Sequence, residues 1–85
     1  MAKKRQIERV QTGIRMEKRL VKVLKAIAEY HEISLGDLLE GIVLHAFDGK
    51  TAFSKETRKV ISGFSELYGL DLTSADAHRL KEKKQ

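Results

Sequence analysis

The chain has 85 residues, with 17 Lys and Arg against 12 Asp and Glu, and no Cys, Pro or Trp. Chains of this length make one small domain and bury only about 60–65% of their unfolded surface when they fold alone. With 41% hydrophobic but only 6% aromatic residues, the core must be aliphatic and modest, which brings oligomerisation into view at once. A chain without Cys excludes a disulfide scaffold, thiolate catalysis and Cys-ligated zinc, and suits a reducing compartment.

The net charge of +5 points toward a polyanionic partner, and its distribution says more than its size. Met1 to Lys25 carry +7, Ala26 to Gly49 carry −5 with no Lys or Arg at all, and Lys50 to Gln85 carry +3. The first nine residues are basic, but no apolar stretch follows them, so they do not read as a secretory signal. No apolar run approaches the ~20 residues that span a bilayer. The expected setting is cytoplasmic and nucleoid-associated, with no membrane partner.

In chain order, residues 1–7 read as a flexible basic arm. From Arg9 to Met16 the pattern has period two: Val10, Thr12, Ile14 and Met16 share one face, while Arg9, Gln11, Gly13 and Arg15 share the other. Period two predicts a half-buried strand. A lone strand has unpaired backbone groups on both edges, so its partner is expected from a second copy of the chain.

Past Glu17, a poor N-cap by residue type, Leu20, Val21, Val23, Leu24, Ile27 and Ala28 recur at helical spacing, with Lys18, Arg19, Lys22 and Lys25 largely off that face. Ser34 then stands at an N-cap with Asp37 three residues on, and Ile33 can staple onto Leu38. Leu38, Leu39, Ile42, Val43, Ala46 and Phe47 form the next apolar stripe, which Asp48-Gly49 ends. Residues 50–85 read as a helical C-terminal extension. Ser54 caps a helix that buries Val60, Ile61, Phe64, Leu67 and Tyr68, and Gly69 stops it. Thr73 and Asp76 open a weaker last helix carrying Ala75, Ala77 and Leu80.

The order of strand, helix, tight turn with a Ser cap, and helix resembles the ribbon-helix-helix family of bacterial DNA-binding proteins, the Arc and methionine-repressor type, over residues 8–48. The resemblance implies a mainly α fold in which one N-terminal strand and two helices form an intertwined homodimer. Its two-stranded antiparallel ribbon would enter the major groove of double-stranded DNA, which is wide enough to admit one. Residues 8–49 would be the dimerisation and DNA-binding domain, and residues 50–85 have no counterpart in the family.

Carried over by position, base reading falls on Gln11, Gly13 and Arg15, with Arg9 one pleat further out. The phosphate clamp falls on Ser34, Leu35 and Gly36. The implied dimer core is Val10, Thr12, Ile14, Met16, Leu20, Leu24, Ile27, Leu38, Leu39, Ile42 and Val43. The chain departs from the family pattern at three places. Gly13 gives a central reading position no side chain, Thr12 replaces an apolar residue, and Glu32 stands where Gly or Asn commonly ends the first helix.

The chemistry agrees with a nucleic-acid partner. An arginine fork at position 15 can donate to guanine O6 and N7, a pairing worth roughly 1–3 kcal/mol of discrimination, and Gln11 matches the adenine edge. The bland alternative is that Arg9, Gln11 and Arg15 are the wet face of an ordinary edge strand. Ser34 serves as a cap on either reading, and the free amides it leaves can hold a phosphate, against competition from Asp37. Lys3, Lys4 and Arg5 would track the backbone, adding affinity without sequence information.

His31, His45 and His78 are scattered without ligand spacing, and no nucleophile, base and orienter fall together, so neither an enzyme nor a metal or cofactor site is expected. Gly36 and Gly41 lie in a helical pattern without a Walker lysine, which excludes a phosphate loop. The expected biology is transcriptional repression of a bacterial operon. The alternatives are an antitoxin whose residues 50–85 bind a toxin, and a plasmid partition or relaxosome accessory protein.

Overall fold

A computed structural model describes residues 4–83 of the chain. Within the described residues three helices of equal length follow one another: α1 over Lys18–Tyr30, α2 over Leu35–Phe47 and α3 over Lys55–Leu67, with a 3-10 turn at Ser74–Asp76. Among the described residues there is no strand. The ribbon-helix-helix fold expected from the sequence is therefore not what the chain adopts, and the fold is all-helical.

The overturned element is the segment ahead of α1, from Lys4 to Met16, which is neither helix nor strand. Alternating residues report which side chains share a face. Strand structure needs in addition a second backbone to satisfy the N–H and C=O groups, and that ladder lies outside anything periodicity encodes. Val10 and Ile14, assigned to a core, are 85% and 67% exposed, and Thr12 is exposed as well.

The helices themselves are built by local chemistry. Glu17, the poor cap by residue type, does cap α1: its carboxylate accepts from the amides of Arg19 at 2.9 Å and Leu20 at 3.1 Å. The Arg19 guanidinium holds the second carboxylate oxygen at 3.1 Å, so a side chain one methylene too long for the usual geometry is pinned in place. Ser34 accepts from the Asp37 amide and Ser54 from the Thr57 amide, as N-caps should.

All three helices end the same way. After α1 the Ile33 amide returns to the Ala28 carbonyl and the Glu32 amide to Glu29; after α2 Lys50 returns to His45 and Gly49 to Ala46; after α3 Leu70 returns to Ser65 and Gly69 to Glu66. This is the Schellman arrangement, which requires a left-handed residue just past the cap. Gly49 (φ +68°) and Gly69 (φ +67°) supply it freely, whereas Glu32 adopts φ +56° despite its side chain.

The core is small. Val23, Ile27 and Ala28 of α1 and Leu38 of α2 are buried, and Leu24, Ile42, Phe53, Ile61, Phe64 and Leu70 close around them. α1 is the central element, packed against both α2 and α3. The buried face of α3 is rotated from the one expected. Thr57, Ile61 and Phe64 make the stripe, with Thr57 only 8% exposed, while Leu67 stands 70% exposed. At 100° per residue Leu67 lies roughly 80° round the helix from Thr57, at the edge of the contact. The last predicted helix shrinks to the three-residue turn at Ser74–Asp76. Thr73 and Asp76 cap it reciprocally, but two alanines and a leucine bury too little to meet the cost of nucleating a helix.

Candidate nucleic-acid interface

Every residue from Lys4 to Met16 is exposed, so Arg5, Arg9, Gln11 and Arg15 all lie at the surface on a stretch without regular secondary structure. Lys3 lies outside the described residues. Gly13 is not required by packing, because a Cβ built there meets nothing within 4 Å. Gln11 and Arg15, expected with Gly13 to read bases, are both exposed on either side of it.

Two of the three arginines in this segment are engaged within the chain. Arg9 grips Glu40 of α2 in a two-point fork, Nε donating to Oε2 at 2.9 Å and Nη2 to Oε1 at 2.8 Å. The hydrogen bonds and charge of Glu40 hold the Arg9 guanidinium above its ordinary pKa, and the same contact holds the Glu40 carboxyl below its own. Arg15 makes the corresponding fork to Glu82, with Nε donating to Oε1 at 3.1 Å and Nη2 donating to Oε2. Neither acid is suggested by sequence spacing, since the partners lie 31 and 67 positions away.

The pair with Glu40 carries Arg9 to the same side of the molecule as the start of α2. There Ser34 takes the Asp37 amide at 3.0 Å, leaving the first amides of the helix, at Leu35 and Gly36, for an outside acceptor. Gly36 is exposed, and the nearest atom to a Cβ built on it is Ser34 Oγ at 4.0 Å. Asp37, also exposed, adds negative charge to that end. The structure thus holds Arg9 against Glu40, one turn past Gly36 and within the field of Asp37, while Arg15 is drawn off toward Glu82 of the C-terminal tail.

A further arginine, in α1, is structural. Arg19 donates to the Gly69 carbonyl at 2.8 Å and to Asp71 at 3.0 Å while also holding Glu17, so it ties the start of α1 to the end of α3. Its guanidinium is held above the ordinary value, chiefly by the Glu17 hydrogen bond. Lys18, Lys22 and Lys25 form an exposed basic line on α1, and the Lys22 ammonium sits 5.8 Å from the centre of the Tyr68 ring.

Of the residues assigned to a dimer core, Ile27 and Leu38 are buried within the single chain, and Leu20, Leu24, Leu39 and Ile42 are half-buried. Met16 is 38% exposed and Val43 44%, and the same outward side of α2 carries Leu44 at 64% and Phe47 at 82%. Leu44 and Phe47 were absent from the expected dimer core. The signal for them is the helix itself, which is apolar nearly all round although only Leu38 is buried.

The histidines stand apart. His45 Nδ1 donates to the Gly41 carbonyl at 2.6 Å, and His31 Nε2 lies 3.4 Å from the Thr57 hydroxyl. Among the described residues no three His, Asp or Glu side chains group as metal ligands would, and no helix is long and apolar enough to cross a membrane.

No protein-family model matches the chain, and comparison with curated proteins and with solved structures finds no similar protein.

Proposed function

We propose that the chain is a sequence-specific double-stranded-DNA-binding protein, a transcriptional repressor, that acts as a homodimer. The observation that carries this reading is the exposed basic segment Lys4 to Met16, neither helix nor strand, standing ahead of a helical domain. Such a segment can follow a groove, with Arg15 and Gln11 aimed at base edges and Arg9 one step out. Lys4, Arg5 and the free amides at the start of α2 take phosphates, which sets register and affinity.

Support for the dimer comes from surface area. A compact monomer of 9.7 kDa should expose roughly 5,100 Å². This chain exposes 8,209 Å². The excess includes the exposed segment ahead of α1 and the outward face of α2, where Val43, Leu44 and Phe47 form an apolar patch that a two-fold pairing would bury. Repression is favoured over toxin masking because α3 spends Ile61 and Phe64 against α1, leaving chiefly Leu67, Tyr68 and Leu80 of residues 50–85 to meet a protein partner.

Selection from a random duplex library, followed by titration of the enriched site, tests the proposal. Arg15→Ala is expected to relax preference at one position of the site by about 1–3 kcal/mol. Lys4→Gln is expected to weaken all duplexes alike and to lower the slope of log K against log salt by about 0.9. A chain that shifts no duplex at low salt overturns the reading.

A further inference from the structure

The acids that occupy Arg9 and Arg15 sit on elements far from them in sequence, yet each meets its arginine in the same two-point way. Glu40 presents both carboxylate oxygens to Arg9 Nε and Nη2 at 2.9 and 2.8 Å, and Glu82 does likewise to Nε and Nη2 of Arg15. A carboxylate held this way mimics the geometry by which a guanidinium grips a phosphate or the Hoogsteen edge of guanine. One fork edge cannot serve two acceptors at once. Arg19, by contrast, is locked into the fold by Glu17, Asp71 and the Gly69 carbonyl, so it is not available to a ligand.

We infer that Glu40 and Glu82 are internal competitors for DNA, closing the arginine forks of Arg9 and Arg15 in the free chain until a duplex displaces them. The inference rests on the DNA-binding reading above and adds its regulation. The pairs are water-exposed, with side-chain exposures of 65% and 42% for Arg9 and Glu40 and of 82% and 69% for Arg15 and Glu82. Exposed pairs are individually weak and screened by salt, so they set a threshold and do not block binding. A dense phosphate array, which offers each fork several acceptors at once, outcompetes them.

The test uses the full chain and a 30-base-pair duplex of mixed sequence at 0.1 M salt. The double variant Glu40→Gln with Glu82→Gln is expected to bind roughly three- to twentyfold tighter than the parent chain. A charge-matched control, Glu29→Gln with Glu66→Gln, removes two exposed acids elsewhere and is expected to gain no more than a third of that. Sedimentation of all three proteins at the titration concentration confirms equal mass, so that a change of assembly is not mistaken for a change of affinity. Nitrogen-15 spectra of the arginine side chains supply the direct readout. In the free parent chain the Arg9 and Arg15 Nε–H signals should exchange with water more slowly than that of Arg5, and should match it in the double variant. Equal gains by variant and control, or Arg9 and Arg15 signals that the substitutions do not move, overturn the inference while leaving DNA binding intact. Absence of binding by every protein removes both.

Discussion

Glu32 is a residue where local backbone and side chain disagree openly. It closes the Schellman turn after α1 at φ +56°, a conformation that costs an L-residue roughly 1–2 kcal/mol relative to glycine. Glu32→Gly is expected to raise stability by up to about 1 kcal/mol once the greater freedom of the unfolded glycine is counted. For a domain of this size that is a rise in Tm of about 4–8 °C per kcal/mol, readable in a thermal melt followed by circular dichroism.

Glu17 makes the second residue-scale prediction. Burial pushes its carboxyl up, but the Leu20 amide, the Arg19 guanidinium and the Arg19 amide outweigh this, and its pKa lies below the ordinary glutamate value. A carboxyl lowered by folding adds stability that is fully present above the unfolded pKa and is lost as pH falls through the folded one. Melting curves of the parent chain and Glu17→Gln should therefore converge as the pH drops through that acidic range and separate above it. A constant gap at all pH values would deny Glu17 its capping role. That role is hard to read in the sequence, because residue type alone ranks Glu low as a cap and the decisive help comes from Arg19, whose other partners lie beyond α3.

Between elements, the contact of α3 with α1 carries the clearest consequence. Ile61 and Phe64 press on the cluster around Val23 and Ile27, so residues 50–85 complete the core that α1 begins. A chain ending at Gly49 should lose its cooperative melt and expose Ile27, which is 2% accessible in the full protein. Ile27→Ala in the full chain should cost about 2–5 kcal/mol, a large part of the stability available to so small a domain. Urea titration checks both.

Legibility at this scale divides by distance along the chain. The caps at Ser34 and Ser54 and the stops at Gly49 and Gly69 can be read directly, since each is settled by a few consecutive residues. The periodicity also places α1, α2 and α3, although the buried face of α3 is rotated toward Thr57. What periodicity could not reach is whether Val10, Thr12, Ile14 and Met16 would find a ladder, because that depends on a backbone outside the pattern. The pairing of Arg9 with Glu40 and of Arg15 with Glu82 is hidden for the same reason: exposed charges have many candidate partners, and only the fold chooses among them.

For the molecule as a whole, surface and shape are both those of a chain looser than a compact globule. Its radius of gyration is 14.6 Å, against roughly 12 Å for a compact chain of this length. If the outward face of α2 pairs with a second copy, as proposed, Phe47→Glu should shift the sedimentation coefficient toward monomer at concentrations where the parent chain is dimeric. Duplex binding should weaken in parallel, because two linked basic segments act on one site. A Phe47→Glu chain of unchanged mass would place the interface elsewhere.

The three helix stops bear on time as well as on form. Each reverses the chain through backbone bonds made within five residues, and no proline isomer has to be awaited anywhere in the 85 residues. Helices and short loops form in microseconds, so refolding of the single chain should finish well within the first second after dilution from denaturant. Any slower phase would then measure the meeting of two chains, and its rate should climb in proportion to protein concentration.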